Sequence, residues 1–106
     1  MKAILKASFA MLALAMACSS YTFADAGADT FKAKCSACHG PAGVGDTTMG
    51  KNLKLRDLGS ADVQKQSDDE LTTIISAGKG KMPKYGEKLS KEQIGEVVKF
   101  IRTLKK

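Results

Sequence analysis

The chain has 106 residues, with 17 basic and 11 acidic side chains, one histidine, three cysteines and no tryptophan. That length supports one small domain with a modest apolar core, of the kind that usually needs a cofactor or covalent staple. The net charge of +6 admits anionic partners, but two tyrosines and four phenylalanines give no stacking platform, which argues against nucleic acid.

Residues 1–24 have the layout of a secretory signal. Lys2 and Lys6 lead a short apolar run over 7–17, a polar stretch follows from Cys18, and small residues stand at Ala24 and Ala26. The apolar run falls short of the roughly 18 residues that a span requires. Cleavage after Ala24 is preferred to cleavage after Ala26. It leaves residues 25–106 as the mature domain, without a transmembrane segment, in the periplasm. Lys2 and Lys6 leave with no acid, so the net charge falls from +6 to +4. Two alternatives stand beside this: an anchor that is not removed, and a lipid carried on Cys18, although Ala15-Met16-Ala17-Cys18 lacks the usual leucine.

A first helix is expected over residues 28–38, with Asp25 or Asp29 near its positive end. At its close stands Cys35-Ser36-Ala37-Cys38-His39. Two thiols one helical turn apart can form thioethers to one edge of a porphyrin, and the adjoining imidazole can then bind the iron, so the motif reads as a c-type haem attachment site. With Cys18 gone, Cys35 and Cys38 are the only cysteines left, and export leaves both free for attachment.

Residues 40–56 hold four glycines, a proline and two threonines, and read as a long functional loop. A short helical piece is expected around 61–64. A second helix covers 68–77, opened by a Ser67/Glu70 capping box, carrying Leu71, Ile74 and Ile75 on one face, and closed by Gly78. A second loop spans 79–89. The last helix starts from a Ser90/Gln93 capping box; Ile94, Val97, Val98, Ile101 and Leu104 recur at helical spacing, widened by Phe100, opposite Glu92, Glu96, Lys99 and Arg102. Lys105 and Lys106 suit its negative end. No stretch alternates like a strand, so the fold class is all-α.

His39 is the only histidine, so a sixth iron ligand must come from another residue type. Methionine thioether is the natural soft donor, and the mature chain offers Met49 and Met82. Met49 lies ten residues after His39, too near to reach the other ring face without a tight wrap. Met82 follows two helices and sits in Gly78-Lys79-Gly80-Lys81-Met82-Pro83, where glycines allow close approach and proline stiffens the segment. Met82 is the expected ligand; the alternative is a core filler.

Together these residues resemble the class I cytochromes c over essentially all of 25–106. The resemblance implies a cytochrome c fold of three to four helices and long loops around one covalent haem c. It also implies a monomeric carrier of single electrons and not an enzyme, with Cys35, Cys38, His39 and Met82 holding the cofactor and His39 and Met82 on the iron. Gly27 and Phe31 on the first helix, and Val97 and Phe100 on the last, look like the family's helix contact. Where the family often has Gly-Pro-x-Leu, this chain has Gly50-Lys51-Asn52-Leu53, and the Lys51 carbonyl is expected to accept the bond from His39. Without tryptophan, Tyr85 or a lysine would face a propionate, packing being the preferred role for Tyr85.

Lys79, Lys81, Lys84 and Lys88 around Met82, with Lys51 and Lys54 in the other loop, form a basic rim suited to redox partners with acidic docking surfaces. Two rival readings remain. In one, Met82 is displaceable and the iron reacts with gas or peroxide, although no second histidine offers a distal acid/base. In the other, the cysteines form a zinc or redox dithiol module, for which two Cys and one His are too few ligands.

Overall fold

The computed structural model describes residues 22–106; the expected leader and Cys18 lie outside them, apart from Thr22, Phe23 and Ala24. The elements in chain order are α1 Phe23–Lys34, α2 Ser36–His39, α3 Thr48–Asn52, α4 Ala61–Gln64, α5 Asp68–Ala77 and α6 Lys91–Thr103. Among the described residues the only extended pairing is one bridge between Lys79 and Met82, and the fold is all-α. Three long helices carry the frame, and three single turns punctuate the loops.

Two boundaries differ from expectation. α1 starts at Phe23 because Thr22 and Asp25 cap each other: the Thr22 hydroxyl accepts the Asp25 N–H, and the Asp25 carboxylate accepts the Thr22 N–H. The helix then breaks at Cys35, whose φ of −114° leaves the helical range, so α2 winds as a separate turn. The second difference is α3, which forms inside the expected 40–56 loop because Thr47 caps it, accepting the Gly50 N–H at 2.8 Å.

α5 and α6 fall where their periodicity puts them. Ser90 and Gln93 form a full capping box. At α5 the box is partial: Ser67 accepts the Glu70 N–H, while the Glu70 carboxylate takes the Ser67 hydroxyl at 3.3 Å. α1 packs most extensively on α6. Phe31 and Val97 are the most deeply buried side chains, and the Phe31 and Phe100 rings meet at 5.0 Å with a 47° tilt. Gly27 makes the crossing possible, because a Cβ there would run into the Glu96 carbonyl and lie 3.1 Å from Phe100. Arg102 ties α6 to the other half of the core. It donates to the Gln64 carbonyl at 3.0 Å, to the Gln66 carbonyl at 2.6 Å and to Asp68 at 3.0 Å.

Candidate cofactor site

Cys35 caps α2 and Cys38 follows one turn later, both as free, half-buried thiols. The His39 ring lies 6.3 Å from Phe31, and its Nδ1 is buried without a hydrogen-bond partner among the described residues. The expected bond from His39 to the Lys51 carbonyl is therefore not made. Winding of α3 turns that carbonyl along the helix axis, where it accepts the Lys54 N–H at 3.3 Å. Burial pushes the His39 imidazole below its usual range, which favours the neutral, ligand-competent form. Burial, with the Cys38 thiol adding to it, pushes the Cys35 thiol up to about 11. Burial and then the two thiols raise the Tyr85 phenol.

Met82 stands at the end of a tight turn, its N–H donating to the Lys79 carbonyl at 3.0 Å, with Gly80 at φ 58°. Gly78, at φ 76°, stops α5 and passes so close that a Cβ would sit 2.6 Å from the Met82 carbonyl. Met82 is half-buried against the core. Met49 is 50% exposed on α3 and lines neither of the hollows described next.

Cys35, Cys38, His39 and Met82 all line one hollow of about 490 Å³, rimmed by Lys34, Lys54, Lys79 and Lys81. A second hollow of about 280 Å³ adjoins it, sharing Cys35, His39 and Met82, and is walled by Phe31, Leu58, Val63, Leu71, Ile75 and Val97. An apolar chamber of ligand size, with two thiols, one imidazole and one thioether converging on it, fits haem c. His39 lines both hollows, while its Nδ1 is itself buried. Among the described residues no three His, Cys, Asp or Glu side chains are grouped to hold a bare metal ion, so the zinc reading lacks ligands. The Tyr85 hydroxyl donates to the Lys34 carbonyl at 3.0 Å, in keeping with a packing role. Lys51, Lys84 and Lys88 are exposed but lie outside the lining; Lys88 stands 5.7 Å from the Tyr85 ring centre.

Two contributors were hidden in the sequence. Thr47, counted there only as loop composition, donates its hydroxyl to the Cys38 carbonyl at 2.6 Å. Lys54 adopts φ 55°, unusual for a residue with a side chain. The only sequence signal for Thr47 was a pair of threonines ahead of Met49-Gly50, without the Glu or Gln that completes a capping box.

A family model described as cytochrome c oxidase, cbb3-type, subunit III, matches residues 22–101. Cytochrome c6 of Microcystis aeruginosa is 35% identical over 75 residues, which is 71% of this chain and 89% of the relative. Cytochrome c6 of a Picosynechococcus species is 34% identical over 110 aligned residues, covering 95% of this chain and 92% of the relative. Among solved structures, the KustC0563 c-type cytochrome superposes with a TM-score of 0.70 at 32% identity, over 76% of this chain and 98% of that one.

Proposed function

The chain belongs to the monohaem c-type cytochromes, electron carriers with covalently bound haem c, and on that premise we propose that Cys35 and Cys38 attach the haem while His39 and Met82 bind its iron. When bound, the haem supplies a one-electron Fe(II)/Fe(III) couple. The observation that carries the assignment is the convergence of these four side chains on one apolar chamber. With His39 and Met82 both holding the group, the chain would offer no free position to a substrate, and its residues would serve to set a potential. Phe31, Val63, Leu71, Ile75 and Val97 keep water from the inner wall, which disfavours the more highly charged oxidised form.

On this reading residues 1–24 are a secretory signal removed on export, the mature domain works as a class I monomer in the periplasm, and Cys18 leaves with the signal. No helix among the described residues is long and apolar enough to cross a membrane. Redox partners meet the lysine rim, Lys34, Lys54, Lys79 and Lys81 at the hollow's edge with Lys84 and Lys88 beyond it, through acidic surfaces.

The deciding experiment is the optical spectrum of periplasmic holoprotein and its Met82→Ala variant. The wild type is expected to be low-spin with the weak far-red methionine band. The variant should lose that band and drop in potential by about 0.1 V, a fraction of the roughly 0.8 V that axial ligands span. A wild-type spectrum that is high-spin, or a Met82→Ala variant that keeps the band, would remove Met82 from the iron.

A further inference from the structure

The segment 45–50 holds the peptide backbone on both sides of the proposed iron ligand. The Thr47 hydroxyl donates to the Cys38 carbonyl at 2.6 Å and accepts the Gly50 N–H at 2.8 Å. The Gly45 N–H donates to the His39 carbonyl at 2.7 Å. The carbonyl before His39 and the carbonyl of His39 itself are thus both occupied from one six-residue stretch. These are end-of-helix acceptors of α2, with no later turn to satisfy them.

Close packing reinforces the bonds. Gly50 is buried, and a Cβ there would lie 2.6 Å from the Gly45 carbonyl and 2.7 Å from the Cys38 carbonyl. Backbone therefore lies directly on backbone, and the Thr47 side chain is the polar link across that contact. His39 Nδ1 makes no hydrogen bond of its own among the described residues, so its seat depends on how firmly its backbone is held and sealed.

We infer that Thr47 is a positioning residue for His39: by clamping α3 onto the Cys38 carbonyl it fixes the backbone that carries the imidazole and keeps water from its Nδ1. This rests on His39 being the iron ligand. Loss of the clamp would leave the Cys38 carbonyl and the Gly50 N–H to recruit water. Water near the proximal imidazole favours the oxidised, more charged site.

The test compares wild-type, Thr47→Val and Thr47→Ser holoproteins, each checked by mass for covalent haem. Thr47→Val keeps the side-chain shape without the hydroxyl. Its equilibrium constant for reduction by a fixed partner should fall about threefold or more, and exchange of the Gly50 amide should quicken at least tenfold. The far-red methionine band should persist, because Met82 lies on another segment. Thr47→Ser should restore both values. A Thr47→Val protein with the wild-type reduction equilibrium overturns the inference, whatever its melting temperature, because a plain helix cap would change stability alone. Should that variant fail to mature, the wild-type holoprotein suffices. A slowly exchanging Thr47 hydroxyl proton and Gly50 amide support the clamp, and fast exchange of both overturns it. Wild-type protein without covalent haem would overturn the attachment reading itself, an outcome the mass measurement separates from the rest.

Discussion

Lys54 shows what a single residue costs and keeps at this site. Its N–H donates to the Lys51 carbonyl at 3.3 Å, and the next N–H, of Leu55, reaches back to the Gly50 carbonyl at 2.9 Å. That pair of bonds is the Schellman close of a helix, whose left-handed residue is usually glycine. A lysine held at φ 55° bears about 1 kcal/mol of strain. Lys54→Gly should therefore raise stability by about 0.5–1 kcal/mol in denaturant unfolding, despite glycine's entropic cost, while Lys54→Ala should gain nothing. Equal effects of the two would show that the backbone is not strained there. The four candidates that meet at one hollow were legible in the sequence: two thiols and an imidazole at fixed spacing, and a methionine set among glycines before a proline. Thr47, Lys54 and the unbonded His39 Nδ1 were not, because their roles depend on where α3 points its carbonyls and amides. Lys51 has the N–H that a proline lacks and donates it to the Thr47 carbonyl at 2.9 Å, so residues 48–52 wind and the expected acceptor turns away.

At the scale of the element, the crossing of α1 and α6 makes the sharpest demand. In an ordinary exposed helix Gly→Ala gains up to about 1 kcal/mol. At Gly27 the added methyl would meet the Glu96 carbonyl and Phe100, so the sign reverses. Gly27→Ala should cost about 1–3 kcal/mol by overpacking, read as a lower unfolding midpoint in denaturant at unchanged slope. A stabilised variant would mean the helices do not cross this closely. Here the resemblance was informative, since Gly27 with Phe31 and Val97 with Phe100 looked like the family's contact between first and last helices. The bounds of α5 and α6 were legible from Ser67, Gly78 and Ser90, whose side chains or lack of one act locally. The break at Cys35 was not, because nothing in the residue types distinguishes one continuous helix from two turns meeting at a kink.

Over residues 22–106 as a whole, the core is built from apolar side chains. Among the described residues no polar or charged side chain is fully buried, and Lys34, Lys54, Lys79 and Lys81 line the hollow. Such a rim acts over a distance set by salt, about 8 Å at physiological ionic strength. Electron transfer with an acidic partner should slow by about tenfold or more between roughly 0.01 and 0.5 M salt. Lys81→Glu should lower the low-salt rate and flatten the dependence. Stopped-flow rates indifferent to salt would remove the docking role from the rim. The class of fold and the sign of its surface could both be read from composition and periodicity. Lys54 could be set beside Lys79 and Lys81 from the sequence; Lys34 could not, because only chain folding brings the end of α1 to the hollow.

If the proposed leader is removed after Ala24, the reciprocal cap at the head of α1 also orders events in time. The peptide bond after Ala24 lies inside the turn that Thr22 and Asp25 hold closed. A processing peptidase reads its substrate as extended chain, so removal of a leader at that bond has to come before this turn winds. Maturation would also delete the cap, leaving Gly27 the third residue of the finished protein. The first helix would then owe its start to the seat that Gly27 finds against α6, and the amino end of the mature chain would order itself last, on a partner already in place.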